Sequence, residues 1–204
     1  MFKRLWSTLF VTAALLGASS VRAETVAPDV LVKQVSTEVI ETVKSDKDIQ
    51  AGDLKKIMAL VDTKVLPQVN FQRMTSLAMG RHWRTATPEQ QTRLQAEFKT
   101  LLVRTYAGAL TQVKDQSVVV KPLRARPEDT EVLVRTEIKG KGEPIQLDYR
   151  LEKAGDSWKI YDVNVLGVWL VETYRSSFNQ EISASGIDGL ITKLAERNKP
   201  SAAK

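Results

Sequence analysis

Apolar positions recur every three or four residues through the first half of the chain and mostly every second residue later on. That change of period predicts a block of helices followed by a block of strands. Val32, Val35, Val39, Ile40 and Val43 form the stripe of a first helix, opened by Pro28 or Asp29. Leu54, Ile57, Met58, Val61 and Val65 form a second, with Asp53 as N-cap and an end near Pro67. A short helix over residues 71–79 stops at Gly80. Thr87, Pro88 and Gln90 then spell a capping box with proline at the first helical position. The helix they open carries the longest stripe: Leu94, Phe98, Leu101, Leu102, Tyr106, Leu110 and Val113.

Strands follow. Residues 118–121 make a short one. In the next, Val132, Val134, Thr136 and Ile138 alternate with Leu133, Arg135, Glu137 and Lys139. After the Gly140-Lys141-Gly142 turn, Ile145, Leu147, Tyr149 and Leu151 alternate with Gln146, Asp148, Arg150 and Glu152. A last strand begins at Trp158, with Lys159, Tyr161, Val163 and Val165 read on one face and Trp158 and Ile160 on the other. At Gly167 the period becomes helical, through Val168, Val171, Tyr174 and Phe178, with Trp169 and Leu170 widening the stripe. Gly167 is therefore read as the corner where strand turns into helix. The order predicts an α+β protein, its helical first half packed on an antiparallel meander with one apolar and one charged face. Twist would curl such a sheet into a half-open cone around the helices, similar to the nuclear-transport-factor-like architecture. No repeat, low-complexity stretch or linker divides residues 24–198, which read as one domain, and residues 199–204 read as a frayed tail.

Residues 1–23 change the picture of where the protein works. Lys3 and Arg4 precede an interrupted apolar run, and Val21-Arg22-Ala23 places small residues at −3 and −1. This is the pattern of a cleavable secretory signal, and the run is too short and broken to span a bilayer. The leader holds three of the 30 basic residues and no acid, so 27 basic against 24 acidic residues leave +3 beyond it. A modest positive balance suits anionic headgroups or acidic partner patches. It argues against nucleic acid, because the cations are spread out and not interleaved with aromatics. Cysteine is absent, so stability must come from burial rather than disulfides. The 181 residues after Ala23 are enough for one sizeable core.

Catalytic chemistry is sparse. His82 is the only histidine, and neither a P-loop nor a G-x-S-x-G elbow occurs. The best acid–base constellation is Tyr149, Tyr161 and Asp162 on neighbouring strands, where an apolar setting would shift their pKa values. A tyrosine that packs its ring and bonds its hydroxyl at a rim explains the same residues more simply.

Two blocks carry a family resemblance. Residues 158–178 hold W-x-x-Y-D followed by G-V-x-L-V-x-x-Y-R-x-x-F, through Trp158, Tyr161, Asp162, Gly167, Val168, Leu170, Val171, Tyr174, Arg175 and Phe178. Residues 71–106 hold Gly80, Trp83, Arg84, Gln90, Phe98, Leu101, Leu102, Thr105 and Tyr106 in matching order, and residues 186–194 fit a closing helix. In these blocks the chain resembles the periplasmic phospholipid-binding proteins of the Mla pathway, the MlaC or toluene-tolerance family. Trp169 departs from the pattern, since serine is usual there, and it implies a bulkier wall or surface at that point.

The resemblance implies a periplasmic carrier, not an enzyme, that holds a glycerophospholipid as cargo and has no other cofactor. It also implies a monomer that exchanges lipid with an outer-membrane lipoprotein–porin complex and an inner-membrane ABC transporter carrying a lipid-binding ring. Such a shuttle would maintain the lipid asymmetry of the outer membrane. The implied pocket has a sheet wall of Val132, Val134, Ile138, Leu147, Tyr149 and Leu151. Its helix wall is Phe98, Leu101, Tyr106, Leu170, Tyr174 and Phe178. Each methylene exposed to water costs about 0.8 kcal/mol, so two acyl chains cost on the order of 20 kcal/mol, and a free lipid cannot cross water. The alternatives are a periplasmic acid–base enzyme on the same fold and a module that holds lipoproteins or unfolded proteins.

Overall fold

The computed structural model describes residues 26–199. Helix α1 (Pro28–Ser45) starts with proline at N1, and the short helix α2 (Lys47–Gln50) follows, capped by Asp46. The sequence pattern did not predict α2. Asp53 caps α3 (Leu54–Leu60), accepting from the N–H groups of Lys55 and Lys56 at 2.9 and 3.1 Å. A π-turn over Val61–Val65 and a 3-10 turn over Leu66–Gln68 then lead to α4 (Phe71–Met79), which ends at Gly80 as expected. After a 3-10 turn at Gly80–Arg84, α5 (Pro88–Leu110) opens with the full Thr87–Gln90 capping box.

Five strands form one antiparallel sheet in chain order: β1 (Ser117–Val120), β2 (Glu131–Lys139), β3 (Ile145–Ala154), β4 (Ser157–Val165) and β5 (Val168–Trp169). The register places Val132, Leu151 and Ile160 in one row and Val134, Tyr149 and Val163 in another, all on the face that the helices cover. Here β4 departs from simple alternation. A bulge between Arg150 and Leu151 on β3 lets Ile160 and Asp162 pair on either side of an extra residue, Tyr161. Trp158, Ile160, Val163 and Val165 therefore share the inner face. Lys159, Tyr161, Asp162 and Asn164 share the outer one. The expectation that Tyr161 and Val163 point the same way is corrected by that single residue.

Gly167 is also corrected. Val165 pairs with Val168, so Leu166 and Gly167 are a two-residue hairpin loop, with φ of 52° and 89°. Positive φ at both positions is the signature of a type I′ turn. The corner into α6 (Leu170–Arg197) comes after β5, not at the glycine. Within α6, Gly186 has φ 72° and breaks the helix into two arms.

The helices cover the sheet unevenly. Helix α1 lies along β1 and β2, whereas α4 and α6 lie along β4; on the middle strand, β3, Leu151 is packed with Val32 of α1 and Leu147 stays half-buried outside the packed clusters. Val32 of α1 joins Val132, Val134, Leu151 and Ile160 in one core cluster. Phe98, Leu101, Phe178 and Leu190 belong to a second, between α4, α5 and α6. Val69 and Val163 touch both clusters. A third joins α1, α2, α3 and α5 through Val43, Ile49, Ile57, Leu60 and Val103.

Candidate lipid-binding face and the outer polar network

Burial along the inner face of β3 and β4 falls from Leu151 and Ile160 towards the hairpin tips, while Thr136 of β2 stays buried. At one end Val132, Leu151 and Ile160 are buried. In the middle Val134 is buried while Tyr149 and Val163 are half-buried. At the far end Ile138, Leu147 and Val165 are half-buried, and Ile145 and Leu166 are 43% and 66% exposed. Leu166 donates its backbone N–H to Gln146, so the β2–β3 and β4–β5 hairpin tips stand side by side with Val168 next to them. Of the exposed large apolar residues, Ile145, Leu166 and Val168 gather at this one rim.

The twelve residues assigned to a pocket separate into groups. Val132, Val134 and Leu151 are packed with Val32 and Ile160, with Tyr149 at their margin. Phe98, Leu101 and Phe178 are packed among the helices, with Tyr174 at their margin. The Phe98 ring meets Tyr174 and Phe178 edge-on, at centroid separations of 4.9 and 5.1 Å. Ile138, Leu147 and Tyr106 are half-buried and belong to none of the three clusters, and Leu170 is buried at the start of α6. Burial raises the Tyr106 phenol, and Tyr174 beside it adds to that shift. The sequence reading missed Val163 and Val165 as members of this face. The spacing of Ile160 and Val163, three apart with Tyr161-Asp162 between them, is the trace a bulge leaves in sequence.

Tyr149 has an unusual position. It is half-buried, and burial pushes its phenol up. Its hydroxyl lies beside those of Ser36 on α1 and Thr136 on β2, which draw the phenol partly back down. Thr136 itself donates to the Leu147 carbonyl at 2.7 Å.

The outer face carries the charge. Arg73 bridges Glu131 and Glu152 and lies 3.9 Å over the Tyr161 ring, while the Tyr161 hydroxyl donates to Glu131 at 2.9 Å. The Arg73 guanidinium holds the Glu131 carboxyl below the ordinary range. Arg150 donates to Asp162 at 3.1 Å and stacks 3.8 Å from the Trp169 ring. Trp169 is thus the lid of an ion pair. Asp148, expected on an exposed face, is 6% exposed; Gln146 donates to one of its oxygens and the other has no partner.

The acid–base constellation does not assemble. Tyr149 is on the inner face, Tyr161 and Asp162 on the outer, and the sheet lies between them. His82 is 3.1 Å from Asn179, at a cleft of about 550 Å³ that also takes in Arg81, Glu172 and Arg175 and shares no residue with the sheet. Among the described residues no three His, Cys, Asp or Glu side chains gather as metal ligands would. No helix among them is long and apolar enough to cross a membrane.

A solved Ralstonia solanacearum phospholipid-binding protein, in complex with a phospholipid, superposes with a TM-score of 0.81. It is 48% identical, over 83% of this chain and 96% of that one. The sequence model described as MlaC protein matches residues 33–196, and the chain belongs to the MlaC family. It is 27% identical to the intermembrane phospholipid transport system binding protein MlaC of Haemophilus influenzae over 197 residues, 94% of this chain and 92% of that protein. It is also 27% identical to the toluene tolerance protein ttg2D of Pseudomonas putida over 182 residues, 88% of this chain and 83% of that one.

Proposed function

We propose that this protein is a periplasmic phospholipid carrier, with acyl tails inserted between β3 and the helices. The observation that carries the reading is the apolar inner face of β3, whose burial falls from buried Leu151 through half-buried Tyr149 and Leu147 to exposed Ile145. The half-buried and exposed apolar end of that strand needs another apolar cover. Four strand residues at about 3.4 Å each put Ile145 roughly 14 Å from Tyr149, close to the ~15 Å of tail in one bilayer leaflet.

The tail walls are then Ile138, Leu147, Tyr149 and Val165 from the sheet and Tyr106, Leu170 and Tyr174 from the helices. Val132, Val134 and Leu151 form the packed end, and Phe98, Leu101 and Phe178 hold the helices together. The headgroup stays at the Ile145–Leu166 rim. No covalent step is involved, and no nucleotide is used, so the direction of transfer is set by partners. Those partners are an outer-membrane lipoprotein–porin complex and an inner-membrane ABC transporter with a lipid-binding ring. Shuttling between them serves outer-membrane asymmetry. The protein works as one monomeric domain after its leader is removed at Ala23, a segment outside the described residues.

Native mass spectrometry of protein released from the periplasm without detergent tests this. A bound mass of phospholipid size is expected. Protein that is empty, and stays empty after mixing with phospholipid vesicles, would overturn the carrier and favour a protein-binding module.

A further inference from the structure

The inner face changes character at one row. On the rim side of Val134–Tyr149–Val163, the apolar residues Ile138, Leu147 and Val165 are half-buried and outside any packed cluster, with Thr136 buried beside Leu147. Beyond that row Val132, Leu151 and Ile160 are buried against Val32 and leave no accessible face of note. Tyr149 stands at the boundary. Its ring starts on β3, and its hydroxyl ends beside Thr136 of β2 and Ser36 of α1, so the side chain reaches from the middle strand to the neighbouring strand and helix. On β3 this ring stands between buried Leu151 and half-buried Leu147, at the level where the packed cluster ends.

We propose that Tyr149 is the floor of the tail pocket and sets the longest acyl chain the protein accepts. The inference rests on the phospholipid reading above and adds a specificity residue to it. A tail entering at Ile145 meets the ring after roughly 14 Å, about the tail length of one leaflet. Longer tails must either fold back or leave methylenes at the rim in water. Both penalise binding in proportion to the excess length. The ring is a firmer stop than an aliphatic side chain, because it has only two rotatable bonds, and its tip lies beside two hydroxyls. Its hydroxyl also has polar neighbours at a depth where a tail offers none, so it gains nothing by turning away.

The test is competition by native mass spectrometry. Delipidated wild type, Tyr149→Phe, Tyr149→Ala and Tyr149→Trp are each offered an equimolar mixture of phosphatidylglycerols with lauroyl, palmitoyl, stearoyl, arachidoyl and behenoyl tails. Wild type should discriminate against the two longest species, and Tyr149→Phe should keep that profile because the ring remains. Tyr149→Ala should raise the share of the longest species by roughly tenfold, since burying two further methylenes already corresponds to such a factor. Tyr149→Trp should shift the profile towards shorter tails. A folded alanine variant with the wild-type profile would overturn the proposal. Should circular dichroism show that variant unfolded, an unchanged profile in Tyr149→Trp overturns it instead. Wild type that binds every length equally defeats the gauge alone, whereas wild type that binds none of these lipids defeats the carrier reading itself.

Discussion

Asp162 of β4 accepts a hydrogen bond from the backbone N–H of Val171 at 3.1 Å, so the strand itself caps the helix that follows it. The same oxygen accepts from its neighbour Val163 at 2.9 Å, and the other takes Arg150. Helix α6 has no side-chain cap at Trp169, and a helix start leaves backbone donors without intrahelical partners. Asp162 therefore answers a need created by the β5–α6 junction. Burial pushes its carboxyl up, against the pull of Val171, Val163 and Arg150.

Removing that cap should be costly. Asp162→Ala leaves two backbone donors and Arg150 without their acceptor, and should cost about 2–4 kcal/mol in urea unfolding. Asp162→Asn keeps one acceptor and should cost less. Equal losses in the two variants would show that packing, not hydrogen bonding, sets the value of the site.

Core and pocket positions should respond differently to truncation. Phe98→Ala and Phe178→Ala remove rings that are packed against each other, and should cost about 3–5 kcal/mol with or without lipid. Leu147→Ala and Val165→Ala should cost little in delipidated protein and more with phospholipid present, because bound ligand adds stability according to its affinity. Thermal unfolding of each variant, with and without phospholipid, measures the contrast. A large loss at Leu147 in delipidated protein would return that residue to an ordinary core.

Neighbouring residues on β3 should fail for different reasons. Leu147→Arg puts a charge on the lipid-binding face and should abolish lipid co-purification. Asp148→Arg, which an exposed charged face would tolerate, meets a buried site and should cost about 2–4 kcal/mol. Asp148→Asn should be nearly neutral, since one carboxylate oxygen already lacks a partner. Urea midpoints and bound-lipid content distinguish the three.

The Tyr149 phenol gives a pH signature. Its folded value lies above that of an exposed tyrosine, so its contribution to stability is complete below the ordinary tyrosine range. That contribution is lost as pH rises through the raised value. Tyr149→Phe should remove a late component from the ultraviolet tyrosinate titration and flatten the alkaline loss of stability. Persistence of that late component in Tyr149→Phe would assign it to Tyr106 or Tyr161, whose phenols burial also raises.

Leu166 occupies a left-handed conformation that costs an ordinary residue about 1–2 kcal/mol, at a turn that favours Asn-Gly. Leu166→Asn should therefore stabilise the protein by about 1 kcal/mol in thermal melts. A loss of stability instead would mean that the exposed leucine makes contacts worth more than its backbone strain.

Local chemistry determined much of this fold without help from the tertiary structure. Pro28, Asp53 and the Thr87–Gln90 box mark helix starts because each acts on backbone groups within three residues of itself. Gly80 ends α4, and the period-2 apolar pattern of β2 and β3 names their inner face, for the same reason. The motifs of residues 71–106 and 158–178 identified the family as well. What sequence could not decide were matters of pairing and distance. Tyr161 reverses the facing of half a strand only because β4 bulges against β3 between Arg150 and Leu151, and that depends on a strand ten residues away. Asp148 is buried, and Trp169 covers Arg150, through neighbours that periodicity does not see. Phe98 and Leu147 lie on equally apolar stripes, yet Phe98 is packed between helices while Leu147 stands half-buried outside the packed clusters. Periodicity reports the direction of a side chain, and only the spacing of the elements decides whether another side chain is there to meet it.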